Sequence, residues 1–349
     1  MSLDYLIVGQ GLAGSVLACL LRMLGRNIAV IDNSHRTAAS VSAAGIINPI
    51  TGKRLTRPFL IDELLDSAFS IYPKLERFLA CSVFQKRTVL RLLQSATEEE
   101  QWRERLASGE YNAYLGATAP ELNSLIRNRF GAFEISAAAH LDIPELLRAT
   151  RQLLLSEDRL ISEEFDYSDL RIMDQKVTWK DFVTNFVIFC EGYQLSRNPF
   201  FNAIKLNPAK GELLVLHAPA FNEPRILQHG KWLFRTITGE IKAGTTYSWD
   251  LLNEEPTPEA RAQIEGAIRE FIKIDFRVIR QSAGVRPVVK VDNRPIVGQH
   301  PQHPRLAILN GLGSKGALQA PFAANQLIAY LETGTPVHPE FDVCRKSLW

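Results

Sequence analysis

A chain of 349 residues, 46% hydrophobic and 22% charged, has the composition of a globular protein and the length for two cores. Its net charge of +2 at pH 7 excludes binding driven by bulk charge, without speaking to a local basic patch. Four scattered cysteines, Cys19, Cys81, Cys190 and Cys344, contain no C-x-x-C, so no metal cluster or disulfide framework is expected and a reducing, cytoplasmic setting fits. Apolar runs stop short of the roughly eighteen residues a membrane span needs, and no basic leader precedes the first apolar run.

Tyr5 to Val8 is short and apolar, the pattern of a buried strand. Gly9-Gln10-Gly11-Leu12-Ala13-Gly14 follows as G-x-G-x-x-G. Ser15 to Leu24 is then predicted as a helix ended by Gly25, and Asn27 to Ile31 as a second buried strand closed by Asp32. In this β-α-β setting the glycines have separate tasks. Gly9 makes the turn, Gly11 lets a diphosphate approach the backbone, and Gly14 lets helix and strand pack closely. The helix start offers free N–H groups and a favourable dipole. Asp32 lies 21 residues past Gly11, close to the spacing at which an acid accepts hydrogen bonds from a ribose 2′-hydroxyl. Its charge opposes a 2′-phosphate.

The segment 34–58 reads as a long loop with a short helix at Ala38–Ala44, and it ends in the basic residues Lys53, Arg54 and Arg57. An amphipathic helix is expected over 61–80, a strand over 83–94, and a surface helix in TEEEQWRERLASG with Gly109 as its cap. Phe130 to Ala137 is strand-like, and Ile143 to Leu155 is helical with Pro144 in the first turn. LRIMDQKVTWKDFVTNFVIFCEG reads as paired strands ending at Glu191-Gly192. GELLVLHAP, KWLFRT and IKAGTTYSW read as an antiparallel sheet, and 258–274 as an amphipathic helix. Leu306 to Leu309 is a strand running into Asn310-Gly311-Leu312-Gly313-Ser314-Lys315-Gly316 and a helix that Gly334 ends. This second strand–glycine–helix junction suits electron-rich ligand atoms. Two distant junctions of this kind suggest a ligand longer than one turn can hold. Arg286, stiffened by Pro287, is either a carboxylate fork or a structural ion-pair partner. His217, His229, His300 and His303 read as structural or surface residues.

The blocks GQGLAG, AAGIINPITGKR, KAGTTYSW, GVRPVVKVDNRPIVG and NGLGSKGALQAPFAA run in family order over nearly the whole chain. They resemble the FAD-dependent family of D-amino-acid oxidase, glycine oxidase and sarcosine oxidase. They are especially similar to the C-terminal flavin domain of the bifunctional enzyme that forms 5-methylaminomethyluridine in tRNA. The resemblance implies an α/β fold: a Rossmann-type FAD-binding domain with a second, antiparallel-sheet substrate domain. The division implied is 1–60, 140–200 and 285–349 for FAD, and 61–139 and 201–284 for substrate. It assigns Gly9, Gly11, Leu12, Ala13, Gly14, Asp32 and Asn33 to the adenosine diphosphate end. Ser42, Ala43, Ala44 and Gly45 fall near the diphosphate and isoalloxazine, and the Phe165 backbone near adenine. Gly192, Gly311, Gly313, Ser314, Lys315 and Gly316 fall near the flavin, and Arg286 grips a substrate carboxylate.

There are departures from the family pattern. Pro287-Val288-Val289 stands where covalently flavinylated relatives have a cysteine, so noncovalent FAD is expected. FCEGYQLSRN replaces an AAGAW-type ending and puts Glu191 near the flavin, where it would alter the potential and repel a carboxylate. Tyr247 belongs to a block widespread in the family, so a place over the substrate does not follow from the block alone. The implied activity is oxidation of the C–N bond of an amine or amino acid by hydride transfer to flavin. Imine hydrolysis follows, with O₂ or another acceptor taking the electrons. Two alternatives remain. One is an oxidase of a carboxymethylaminomethyl-modified uridine of tRNA, using Lys53, Arg54 and Arg57. The other is a non-catalytic flavin-binding subunit.

Overall fold

The computed structural model describes residues 2–35, 38–52, 54–116, 120–346 and 348, so Lys53 lies outside the described residues. The first strand is β1 (Ser2–Val8), followed by helix α1 (Leu12–Met23) and β2 (Ile28–Ile31). A 3₁₀ turn (Ala39–Ser42) and β3 (Ile46–Ile47) break the long loop. Next come α2 (Ile61–Leu79), β4 (Phe84–Leu92), α3 (Ala96–Ala107), β5 (Ala132–Leu141) and α4 (Ile143–Ser156). The strands β6 (Leu160–Ile161), β7 (Leu170–Ile172), β8 (Val177–Trp179) and β9 (Phe182–Phe189) follow. Then come β10 (Ala209–His217), β11 (Ile226–His229), β12 (Lys231–Arg235) and β13 (Ile241–Gly244). The last elements are α5 (Pro258–Phe271), β14 (Arg277–Arg286), β15 (Ile296–Gln299), β16 (Leu306–Asn310) and α6 (Gly316–Thr333).

These strands form two sheets. The first has the order β15-β16-β9-β1-β2-β6, with β7 and β8 added as a meander on β9. Its centre is parallel: β1 pairs with β2 through Tyr5↔Ile28 and with β9 through Tyr5↔Phe186. Such strands are covered on both faces, which is why their sequences run apolar without alternation. Tyr5 and Ile7 point into a core shared with α1, α2 and α6, whereas Leu3, Leu6 and Val8 point into a second core with Phe165, Trp179 and Phe189.

The second sheet has the order β14-β10-β13-β12-β11-β4-β5-β3. Its far face packs on α5 through Ile264, Ile268 and Phe271. The sheet is antiparallel except for β11, which runs parallel to β4 through Leu227↔Leu90. Neither β11 nor β14 was legible as a strand in the sequence. β11 is only four residues long, in a hairpin with β12 that turns at Gly230. β14 is an edge strand that leaves Ile279 exposed among arginines, so no apolar run marks it. Among the described residues, no helix is long and apolar enough to cross a membrane.

Strands β1, β9 and β16 end side by side, and each runs into a turn: Gly9, Glu191-Gly192 and Gly311. The end of β14 and the segment after β13 face them from the second sheet, with Gly284 lying against Ala39 and Ser42 of the 3₁₀ turn. Packing of α1 on this floor requires Gly14. A methyl group there would overlap the Gly9 carbonyl, 1.9 Å from its oxygen. Gly14→Ala is therefore expected to cost about 3 kcal/mol or more in denaturant unfolding. Gly25→Ala, at φ +74 with open space around it, should cost only about 1 kcal/mol. An equal loss in both variants would contradict the close-packing role.

Candidate active site

A cavity of about 530 Å³ runs between the turns of the first sheet and the ends of the second. Gly9, Gly11, Leu12, Ala13, Asp32 and Asn33 line one end of it. No side chain caps α1 at Gly11, so its first turn keeps donors for a ligand. The Leu12 N–H donates to Ser40 Oγ at 3.0 Å, which holds the 3₁₀ turn beside the helix start.

Asp32 is buried and heavily engaged. Its Oδ2 accepts from the Gln10 N–H at 3.0 Å. Its Oδ1 accepts from the His35 N–H at 2.9 Å and from Arg151 Nη1 at 3.0 Å. A carboxylate offers about four acceptor sites, so room remains for one hydroxyl from the cavity. Arg151 also donates to Gln10 Oε1 at 3.0 Å and thus fixes the turn as well as the acid. Phe165 lines this end beside Glu163 and Glu164. Its ring stacks on Trp179 at 5.1 Å between centroids, which commits the side chain to the core and leaves the backbone to the cavity.

Glu191 lies mid-cavity, where β9 ends next to Gly9. Asn198 Nδ2 donates to its Oε2 at 2.8 Å, and the Tyr167 hydroxyl donates to its Oε1. Burial outweighs both donors and pushes the carboxyl up to about 7. The same burial, with the carboxylate next to it, pushes the Tyr167 hydroxyl far above its ordinary range, so Tyr167 stays a donor.

Arg286 and Tyr247 stand at the other end with Trp232, Thr245 and Leu213. The Arg286 guanidinium lies 4.3 Å from the centre of the Tyr247 ring. Nη2 donates to Thr245 Oγ1 at 2.8 Å and Nη1 to the Thr246 carbonyl at 3.4 Å. Lys231 Nζ donates to the Thr245 carbonyl at 2.7 Å. Burial, and then the charge of Arg286, lowers the Lys231 pKa. Among the described residues, neither cation has a carboxylate partner within 4.0 Å.

The structure brings Ser42, Ala43, Ala44, Gly45, Gly192, Gly313, Ser314 and Gly316 to the cavity wall as well. Gly14, Gly311 and Lys315 are not on it. Gly14 packs behind the first turn, Gly311 lies at φ +74 against Val289, and burial pulls the Lys315 ammonium below its ordinary range. Arg54 is exposed, while Arg57 pairs with Asp62 at 3.0 Å and lies over Tyr114, so it serves local structure. His229 lies against Phe271, and His300 bonds the Phe200 carbonyl at 3.0 Å. His217, His229, His300 and His303 are all off the cavity wall. Sequence reading missed Arg151, Tyr167, Asn198, Lys231, Trp232 and Thr245. Each comes from a segment whose pattern encodes only helix, strand or turn, and the fold alone brings it to the site.

The uncapped helix start, the engaged acid and the two glycine turns fit a dinucleotide laid along the cavity. A family model described as FAD dependent oxidoreductase (DAO) matches residues 4–331. MnmC of Marinobacter nauticus, the tRNA 5-methylaminomethyl-2-thiouridine biosynthesis bifunctional protein, is 23% identical over 348 residues, covering 92% of this chain and 54% of that protein. The chain thus spans about half the length of that curated relative. Among solved structures, glycine oxidase from Geobacillus kaustophilus superposes with a TM-score of 0.81 at 18% identity, covering 99% of both chains. Iminodiacetate oxidase (IdaA) from Chelativorans sp. BNC1 gives 0.73 at 21% identity, covering 96% of both. At these identities the structures speak to the fold. The family match, over most of the chain and across every element that lines the cavity, makes this protein a member of the DAO family of FAD-dependent oxidoreductases, with FAD as its cofactor.

Proposed function

We propose that the protein oxidises the C–N bond of a carboxylate-bearing amine or amino acid, with FAD held noncovalently. The observation that carries this reading is Arg286: a half-buried fork at the end of the cavity, with no carboxylate of its own among the described residues. A buried cation without a counter-ion is costly, and a ligand acid relieves the cost. Glycine oxidase and iminodiacetate oxidase carry the names of such amines.

Bound FAD supplies the two-electron acceptor; O₂ or another acceptor would reoxidise it. The protein's part is to hold, orient and exclude. Gly9, Gly11, Leu12, Ala13, Asp32 and Asn33 would hold the adenosine diphosphate end, and the 42–45 segment with Gly313, Ser314 and Gly316 the flavin end. Arg286 would take the substrate carboxylate, while Tyr247 and Trp232 close the site around it. The working domain plan assigns 1–60, 140–200 and 285–349 to FAD, and 61–139 and 201–284 to substrate. Every described strand of the first sheet falls in the former set. The second sheet's strands fall in the latter, apart from β3 and the last residues of β5 and β14.

A second reading has its own observation. Tyr247 and Trp249 are 49% and 55% exposed and stack at 6.2 Å, an aromatic step at the mouth of the cavity. A modified uridine could stack there with its side chain directed at Arg286. Anaerobic flavin bleaching by modified tRNA, and by no free amino acid, would favour it.

Acid precipitation is expected to release all flavin into the supernatant, because Pro287-Val288-Val289 offers no thiol. Arg286→Ala should cost roughly 2–5 kcal/mol in binding a carboxylate substrate, and Arg286→Lys most of that, since the fork is lost. The check is anaerobic reduction by a confirmed substrate; unchanged Kd and rate would reject the anchor. Glu191 sets a pH dependence. Folded, its carboxyl titrates at about 7; unfolded, at roughly 4.3. Between those values the folded state keeps a proton that the unfolded state has lost, so stability falls as pH rises through this window. Glu191→Gln should remove that slope, read as Tm between about pH 4.5 and pH 8. Parallel slopes in both proteins would show that Glu191 does not cause it.

A further inference from the structure

We propose that Gly211 is the positioning residue for Arg286: the side chain it lacks is the slot in which the guanidinium lies. The proposal rests on the reading of Arg286 as the substrate anchor. β10 and β14 are antiparallel, with Gly211 opposite Gly284 and Ala209 opposite Arg286. Arg286 is therefore the diagonal neighbour of Gly211, on the face that carries Gly284. A methyl group built on Gly211 would fall on Nη2, Cζ and Nη1 of Arg286, with no other group as near. The guanidinium thus lies across the backbone of β10.

The remaining sides of the slot are closed by named groups. Tyr247 covers the guanidinium at 4.3 Å, and its hydroxyl donates to Ser314 Oγ at 3.0 Å, which ties the cover to the glycine turn after β16. Thr245 Oγ1 and the Thr246 carbonyl take one N–H each from Nη2 and Nη1. Lys231 fixes the Thr245 carbonyl from behind and adds a second positive charge. A guanidinium has five N–H donors, so three are left. With both faces covered, the remaining donors lie in the plane of the group, where a neighbouring pair of them can meet a carboxylate with two parallel hydrogen bonds. Gly284 completes the floor: a methyl group built on it would lie 3.1 Å from Ala39 Cα and 3.4 Å from Ser42 Cβ, so its bare Cα leaves room for both. Gly211 lies outside the left-handed region, so an alanine there strains no backbone and the conflict falls on the arginine.

The test compares wild type, Gly211→Ala, Arg286→Ala and the double variant, each loaded with FAD. Acetate and benzoate are the carboxylate probes, read by perturbation of the flavin absorbance. A displaced fork is expected to lose roughly 30-fold or more in affinity, the scale of a broken desolvated charged pair. Gly211→Ala should approach the loss in Arg286→Ala, and it should change nothing further in the Arg286→Ala background. Loss in Arg286→Ala with wild-type affinity in Gly211→Ala would overturn the slot while leaving the anchor standing. No loss in either, or no probe binding by wild type, would remove the anchor and the slot with it. Thermal unfolding decides the case in which Gly211→Ala folds poorly. If the clash is with the guanidinium, removing Arg286 restores the Tm. A double variant as unstable as Gly211→Ala would place the fault in the strand and overturn the proposal.

Discussion

Helix α1 can leave β1 at the angle it does only because nothing projects from Gly14 toward the Gly9 carbonyl. That contact fixes where the helix starts. The start fixes where the free N–H groups point, and Ser40 ties the 3₁₀ turn to it through Leu12. The same turn lies against Gly284 of the second sheet. A close approach of backbone to backbone in the first fourteen residues therefore sets the geometry in which both sheets face one cavity.

Charge along the cavity is graded. Asp32, Glu163 and Glu164 stand at the nucleotide end, Glu191 midway, and Arg286 at the far end with Lys231 behind it. The acids at the first end are suited to hydroxyls rather than phosphates. Asp32 keeps one acceptor site, because the Gln10 and His35 N–H groups and Arg151 use the others. The diphosphate is left to the backbone donors and the helix start. Glu191 would be a repulsive charge beside a diphosphate. Burial works against that charge, since it favours the neutral carboxyl up to about pH 7. Its place after β9 sets it next to Gly9, at the turn that would hold the cofactor.

The sequence disclosed what depends on short-range geometry. The β1-α1-β2 unit, Asp32, the 3₁₀ turn and the β16–glycine–α6 junction are all encoded within a few dozen residues, and the spacing of glycines carries their physical reason. Edge strands were less legible. β14 needs no continuous apolar face, so RVIRQSAGVR gives little signal until Arg286. β11 was hidden by its length, and its parallel pairing with β4 depends on a contact across more than a hundred residues. The partners of the site residues were least legible of all. Arg151 reads as a polar face of α4, Asn198 as a turn residue, and Lys231 as a strand end. Their roles arise where three separate segments meet, and no local pattern records that.

The two sheets divide the work but do not act independently. Ser314 belongs to the glycine turn that follows β16 of the first sheet, and it accepts the hydrogen bond of Tyr247, which covers Arg286 at the end of the second. Gly284, two residues before Arg286, is in contact with Ala39 and Ser42 of the cofactor-side loop. Movement of the flavin-side turn would thus reach the fork through the Tyr247 ring, and movement of the 3₁₀ turn through the β14 backbone. Both links are direct contacts rather than long chains of side chains. Seating FAD against the 42–45 segment and the 313–316 turn would therefore also set the plane of the guanidinium. If Arg286 is the substrate anchor, cofactor and anchor would share the same few contacts, so a change at one would be felt at the other.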